Sequence, residues 1–365
     1  MASNIERVQS EVADQEVALQ SGYDILTYPA DFTLEVLVQK WKKGDILIAP
    51  GQRRFIWSQA RASRLIESFL IGLPVPPVFF YQETGTNKLL VVDGQQRLRS
   101  IVYFFSGKFG DKDGDPVFNL LGLNEKSRFY ETTYHQLKDS DQESFNKFIN
   151  SVMRSFVVKQ LDPKDDTSIF EMFERLNTGG VSLTPQEIRN CIYQCPLNEL
   201  LDELNKYEPW RRIVGGPPDR RMRDAELILR FMALRWGKAY RKPMKKFLNN
   251  FMEEHKKTPR KNLEPFEQEF KATARCVVEF LGEKPFHVRR GLNAAVYDSV
   301  FTAFSKHLDI VNRDHVTKKI RRNIANSFKH LIHKDTEFTE WTISATTDQD
   351  IVPKRLARAE EALFG

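Results

Sequence analysis

The residues best suited to chemistry are a polar run that follows the apolar stretch 89–92 directly. The run reads Asp93-Gly94-Gln95-Gln96-Arg97, and a helical pattern begins at Gln95. A strand–glycine–helix junction aims free backbone N–H groups at one point, where the helix dipole adds partial positive charge. The pattern therefore predicts a phosphate site.

Each residue of the run suits a role in such a site. Gly94 has no Cβ to block a phosphate, and Arg97 could bind one with its two-pronged guanidinium. Asp93 could hold a divalent metal or orient a water, and the two glutamines could position that water. The same spacing also fits an ordinary turn in which Asp93 caps the helix and Arg97 pairs with a surface acid.

Two further polar clusters lie at the ends of predicted strands and helices. Gln52-Arg53-Arg54-Phe55-Ile56-Trp57 follows a predicted strand over 45–48, and its aromatic residues are expected to anchor the loop in the core. If this strand neighbours the one ending at Asp93, both Gln-Arg pairs open at one sheet edge, where ligands tend to bind. Asn177-Thr178-Gly179-Gly180 ends a predicted helix, and Thr184-Pro185-Gln186-Glu187 caps the next.

The elements around these clusters predict an α+β fold with a small mixed sheet, followed by an all-α domain. Predicted strands cover 45–48, 75–81, 88–92 and 155–161, predicted helices cover 58–70 and 95–105, and a turn covers 83–87. Further helices are predicted over 166–176, 184–194, 196–207, 222–237, 244–256, 264–281, 293–308, 313–332 and 351–363. The expected domains are a polar tail or helix over 1–22, an α+β domain over 23–165 and a helical domain over 166–365.

The composition does not determine which class of partner the protein binds. The chain of 365 residues is 41% hydrophobic and 28% charged, and its 55 basic and 49 acidic residues give a net charge of +6. This mild excess permits a polyanionic partner without requiring one. Three cysteines, at 191, 195 and 276, form no zinc pattern. No apolar run is long enough for a membrane span and no secretory signal is visible, so a soluble, cytoplasmic protein is expected.

Four ordered blocks resemble the N-terminal domain family of GmrSD-type restriction enzymes, which belongs to the wider ParB/sulfiredoxin-like fold. The blocks are 91–98 with its DGQQR motif, 52–57, 65–77, and 173–180 with 187–189. The chain departs from the family at Gly51, where an aromatic residue is usual, and at Arg99, where a threonine is usual. Larger relatives carry a His-Asn-His-type nuclease domain, but His315, His330 and His333 lack its spacing.

The resemblance implies a nucleotide-binding, NTP-hydrolysing protein linked to DNA restriction or phage defence. Its cofactors would be an NTP and a divalent metal such as Mg²⁺ at Asp93, and its partners would include DNA or a defence-system effector protein. The catalytic residues would be Asp93, Gln96 and Arg97. The nucleotide-binding residues would be Gln52, Arg53, Gly94, Gln95, Arg97 and Asn177.

Basic clusters in the helical half suggest a face that contacts DNA phosphates. The candidate residues are Arg220, Arg221, Arg223, Lys318, Lys319, Arg321 and Arg322. Three hypotheses stay open: an NTPase coupled to DNA, a ParB-like metal-dependent nuclease, and a non-catalytic module that senses nucleotide or DNA and regulates a partner. Phosphate release, strand cleavage, and stabilisation by ligand without either product would separate them.

Overall fold

The computed structural model describes residues 24–48, 55–82, 87–124, 126–162, 168–169, 172, 184–193, 195–288, 291–312 and 316–365. They fall into two compact units, Ser21–Leu183 and Thr184–Gly365. The division lies later than the boundary predicted at 165/166. Thr184 donates its hydroxyl hydrogen bond to the carbonyl of Arg221 at 2.9 Å, which ties it to the second unit. The predicted tail over 1–22 and most of the predicted helix over 166–176 lie outside the described residues.

In the part of the first unit that the structure describes, seven strands build the sheets. They are β1 Asp24–Pro29, β2 Phe32–Thr33, β3 Ile46–Leu47, β4 Val78–Gln82, β5 Leu89–Asp93, β6 Val152–Met153 and β7 Ser155–Asp162. Five of them form one mixed sheet in the order β1-β7-β4-β5-β3, and β2 pairs with β6. The predicted α+β class with a small mixed sheet is confirmed.

Strand directions bring several ends to one edge of the larger sheet. β5 runs parallel to β3 and antiparallel to β4, while β4 runs parallel to β7. The carboxyl ends of β3 and β5 therefore lie at the edge where β4 and β7 begin. The predicted turn over 83–87 lies, apart from Asn87, outside the described residues.

Five helices of the first unit are described over their full length: α1 Leu34–Lys43, α2 Gln59–Ile71, α3 Gln95–Ser106, α4 Tyr134–Ser140 and α5 Gln142–Asn150. The predictions for α2 and α3 are confirmed to within about a residue at each end. Ser58 caps α2 by accepting the N–H of Arg61 at 3.3 Å, and Gly72 ends the helix in the left-handed conformation. The apolar faces of both helices are buried in one core with residues of β4 and β5.

The described part of the second unit is helical, as predicted. Its α-helices are α6 Pro185–Ile192, α7 Pro196–Leu204, α8 Glu208–Val214, α9 Arg223–Trp236, α10 Met244–His255, α11 Glu264–Leu281, α12 Ala294–Lys306, α13 Leu308–Val311, α14 Lys318–His333, α15 Thr336–Trp341 and α16 Ile351–Phe364. A short 3₁₀ helix spans Arg260–Leu263. Over the described stretches of both units, no helix combines the length and apolar character needed to cross a membrane.

A buried charge network joins three helices of this unit. The carboxylate of Asp298 on α12 accepts hydrogen bonds from Arg230 on α9 at 2.7 Å and from Arg355 on α16 at 2.9 Å. Arg355 also donates to the backbone carbonyl of Ala295 at 2.8 Å. All three charged side chains are at most 5% exposed, so each depends on its partners for compensation of the lost hydration.

We expect Asp298→Asn to destabilise the second unit by about 3–5 kcal/mol, because two buried guanidinium groups lose the negative charge that they share. Urea denaturation followed by circular dichroism measures the loss. The control is Glu254→Gln, which breaks the exposed ion pair with Lys238 and should cost less than about 1 kcal/mol. Equal losses in the two variants would contradict a structural role for the network.

Candidate functional site

The turn between β5 and α3 depends on Gly94. Its φ is 99°, in the left-handed region, and among the described residues no side chain caps the helix at this point. A Cβ on Gly94 would lie 2.8 Å from Cγ2 of Val78, the first residue of β4. Glycine therefore allows both the turn and the close approach of two strands, and the N-cap residue itself offers no side chain to α3.

Asp93 and Arg97 form an ion pair across this turn. Nη2 of Arg97 donates to Oδ2 of Asp93 at 2.8 Å and to the carbonyl of Pro77 at 3.0 Å. The Arg97 side chain is 16% exposed and that of Asp93 is 41% exposed. Asp93 thus pairs with the arginine instead of capping α3. Within the described residues Nη1 of Arg97 forms no hydrogen bond, so this part of the guanidinium can take another acceptor.

Gln96 holds a neighbouring loop. Its side-chain carbonyl accepts the backbone N–H groups of Ile56 at 2.9 Å and Trp57 at 3.2 Å. Phe55 adds an apolar anchor, because its ring packs edge-on against Tyr103 with centroids 4.9 Å apart. The expected anchoring of this loop by its aromatic residues is confirmed, since Phe55 and Trp57 both pack against the core, whereas Ile56 is 64% exposed. Gln95, the residue before Gln96 at the start of α3, is buried.

The contacts of Gln96 with the loop lie a few residues after two predicted site residues, Gln52 and Arg53. Gln52 and Arg53 lie outside the described residues, as does Asn177, so their placement in the site stays a prediction. The expectation that strand 45–48 neighbours the strand ending at Asp93 is confirmed, since β3 and β5 pair in parallel through Ile46 and Leu89. Gln96 therefore fixes the chain two residues beyond Arg54, near the same sheet edge.

Sequence reasoning missed Arg154, an exposed residue directly before β7. Its carbonyl accepts the N–H of Val78 at 2.9 Å, and Val78 is the residue that lies against Gly94. Arg154 forms no ion pair with any described residue. The signal in the sequence is a single basic residue before an apolar strand, which becomes informative only once β7 is known to lie beside β4.

No cluster of three or more metal-ligating side chains occurs among the described residues, and the metal role of Asp93 stays a prediction. Tyr103 lies on α3 further from the turn. Burial raises the pKa of Tyr103 to about 12, with a further contribution from its hydrogen bond to Asp111. Its phenol is therefore protonated at neutral pH and adds no charge beside α3.

The basic clusters of the second unit divide into paired and unpaired residues. Three of the seven predicted residues form ion pairs within the unit: Arg221 with Glu187, Arg223 with Asp219, and Arg321 with Glu279. The other four are exposed and form no ion pair with the described residues: Arg220, Lys318, Lys319 and Arg322. Most of the cluster around Arg220 is thus committed to contacts inside the fold.

Helix α14 keeps most of its cations available. Lys318, Lys319, Arg322 and Lys329 are all exposed, and the helix contains no acidic residue. Residues 318, 322 and 329 are four and seven apart, a spacing that places them on one helix face. Lysines in the first turn are unfavourable for the helix dipole, so this concentration of charge does not serve the stability of the helix itself.

Residues 34–194 match the model of a family described as the GmrSD restriction endonuclease, N-terminal domain. The match begins with α1 and extends through β7 to α6, and it confirms the family resemblance for this segment. The description of the family names a restriction endonuclease. A search of curated proteins found no match. The relation to the ParB/sulfiredoxin-like fold stays a prediction.

We expect Gly94→Ala to destabilise the first unit more than Gly107→Ala. Both glycines have a positive φ, which costs an alanine about 1–2 kcal/mol. Only at Gly94 would the new Cβ meet a core atom at 2.8 Å, whereas at Gly107 the nearest atom is 3.4 Å away. Thermal unfolding of the two variants measures the difference, and equal melting temperatures would show that the contact with Val78 imposes no constraint.

Proposed function

Since residues 34–194 match a restriction-endonuclease N-terminal domain, we propose that the first unit binds a nucleoside triphosphate at the turn between β5 and α3 and hydrolyses it. The observation that carries the proposal is the Gly94 turn, where α3 begins at a glycine that has no side chain of its own and lies beside a guanidinium with an available Nη1. Backbone N–H groups and Arg97 would hold the phosphates. Arg154 supplies a second exposed cation at the same sheet edge.

Asp93 would hold Mg²⁺ or orient the attacking water. Its side chain is 41% exposed and is oriented by Arg97, so one carboxylate oxygen is fixed while the other stays accessible. When bound, the metal would neutralise charge that develops on the phosphates. Gln96 would act through the loop at Ile56 and Trp57, bringing Gln52 and Arg53 toward the nucleotide. Gln95 and Asn177 complete the proposed set.

We expect Arg97→Ala to weaken NTP binding by about 1.5–3 kcal/mol, the value of hydrogen bonds to a charged group. Isothermal titration calorimetry with ATP and GTP measures the change. The control is Arg99→Ala, because Arg99 lies on the same helix but pairs with Asp111 at 2.6 Å. A loss of the same size in both variants, or none in Arg97→Ala, would argue against phosphate binding at this turn.

Asp93→Asn should spare NTP binding and lower phosphate release, because the amide keeps the size of the side chain but neither binds Mg²⁺ well nor activates water. Phosphate release is measured with and without duplex DNA, beside a melting curve for each protein. Loss of activity together with a lowered melting temperature would assign a structural role to Asp93. Metal-dependent DNA cleavage without NTP would favour the nuclease alternative, and NTP binding without phosphate release would favour the sensing module.

A second proposed activity is contact between α14 and DNA phosphates. Four exposed cations with no acidic residue on their helix support it. Such contacts are electrostatic and carry no base specificity, so DNA sequence or modification would have to be recognised elsewhere. The unpaired Arg220 is the one member of the other cluster that would still contribute.

We expect DNA affinity to fall steeply with salt, with about 0.9 in the log–log slope for each neutralised phosphate of duplex DNA. The triple variant Lys318→Glu, Lys319→Glu, Arg322→Glu should lower that slope and leave NTP binding unchanged. The control reverses three exposed lysines elsewhere in the unit, Lys246, Lys257 and Lys261, with the same change in net charge. A gel-shift series over salt compares them, and equal slopes would exclude a specific role for α14.

A further inference from the structure

Two phenylalanine rings stack on each other at the edge of the first unit's sheet. Phe79 on β4 and Phe156 on β7 are direct neighbours in register, with ring centroids 5.4 Å apart and planes inclined by 22°. Both rings keep part of their surface accessible, whereas the adjacent residues Val78, Phe80 and Val157 are at most 1% exposed. The pair is therefore an aromatic surface that the core has not covered.

This surface lies next to the proposed phosphate site. Phe79 is the residue of β4 that is paired with Asp93 of β5, next to a register shift between Phe79 and Phe80. Three residues are therefore neighbours across three adjacent strands: Asp93, which pairs with Arg97, then Phe79, then Phe156.

Charge and apolar surface are arranged here as a nucleotide requires. Phosphates need N–H donors and cations, which Gly94, Arg97 and Arg154 offer, and a base needs an aromatic face on which to stack. Beside a charged carboxylate, the stacked pair contributes little to the stability of the fold, because its outer surface stays in contact with water. A flat ring of a ligand that covers this surface would remove it from water and would be bound by stacking.

We propose that Phe79 and Phe156 form the base-binding surface of the nucleotide site, so that the ligand is a nucleoside phosphate rather than a bare polyphosphate. The inference rests on the proposed function of the Gly94 turn. Stacking accepts every base but favours larger rings, so purine nucleotides are expected to bind more tightly than pyrimidine nucleotides. Stacking on one aromatic surface corresponds to an affinity gain of about 5- to 150-fold.

Calorimetry with ATP, CTP and inorganic tripolyphosphate tests this on the full chain. The wild type should bind ATP about 5- to 150-fold more tightly than tripolyphosphate, with CTP between them. Phe156→Leu should remove most of this difference and leave the tripolyphosphate affinity unchanged, while Phe156→Tyr should retain it. Phe79→Leu serves as a second variant should Phe156→Leu fail to fold.

The matched control is Phe105→Leu, since Phe105 is also partly accessible and packs against neighbouring rings, at 5.0 Å from Tyr134 and 5.4 Å from Phe148. It should leave the affinities for ATP and tripolyphosphate unchanged. Equal binding of ATP and tripolyphosphate by the wild type, or an unchanged difference in Phe156→Leu, overturns the base-binding surface alone. Failure of the wild type to bind either compound overturns the proposed function and this inference with it.

Discussion

The contact between Gly94 and Val78 is the constraint on which the first unit's candidate site depends. A strand can pass directly into a helix beside the start of β4 only if the turn residue has a positive φ and no side chain. That approach brings the carbonyl of Pro77 within reach of Arg97, and the guanidinium then bridges this carbonyl and Asp93. The backbone packing and the charged pair are therefore consequences of the same glycine.

The helix that starts at this turn organises a second segment. Gln96 and Tyr103 both lie on α3, and they hold the loop after β3 through two backbone hydrogen bonds and one ring contact. A buried or half-buried amide that satisfies two N–H groups is a positioning device, because its hydrogen bonds would be lost if the loop moved. The polar run after β5 thus combines residues suited to a ligand with one residue that orders the neighbouring chain.

The second unit balances its charges in two different ways. Inside it, Arg230 and Arg355 share the carboxylate of Asp298 and join three helices that are far apart in sequence. On its surface, α14 carries unpaired cations that no acidic neighbour on the helix offsets. Buried charges must be compensated because hydration is lost, whereas surface charges can stay in water until a polyanion replaces their counter-ions.

The sequence by itself determined the elements with strong local signals. Ser58 and Gly72 marked the ends of α2, and the helical periodicity of the second half located most of its long helices. Four ordered blocks, with the run at 93–97 among them, indicated the family resemblance that the match over residues 34–194 confirms. It missed β1, the short strands β2 and β6, and helices α1, α4, α5, α8 and α15, although Thr33 and Gly44 cap α1 and Thr133 forms a capping box at α4. Only the tertiary structure decided that Asp93 pairs with Arg97, that Gln96 binds the 56–57 backbone, and that Phe79, Phe156 and Arg154 lie at the same sheet edge. The physical reason differs between these relations. The pairing of Asp93 with Arg97 depends on the turn geometry at Gly94, although the two residues are only four apart. The contacts of Gln96 with the 56–57 backbone and the pairing of β4 with β7 join segments about 40 or more residues apart, and local periodicity does not encode the strand order and register that bring such segments together.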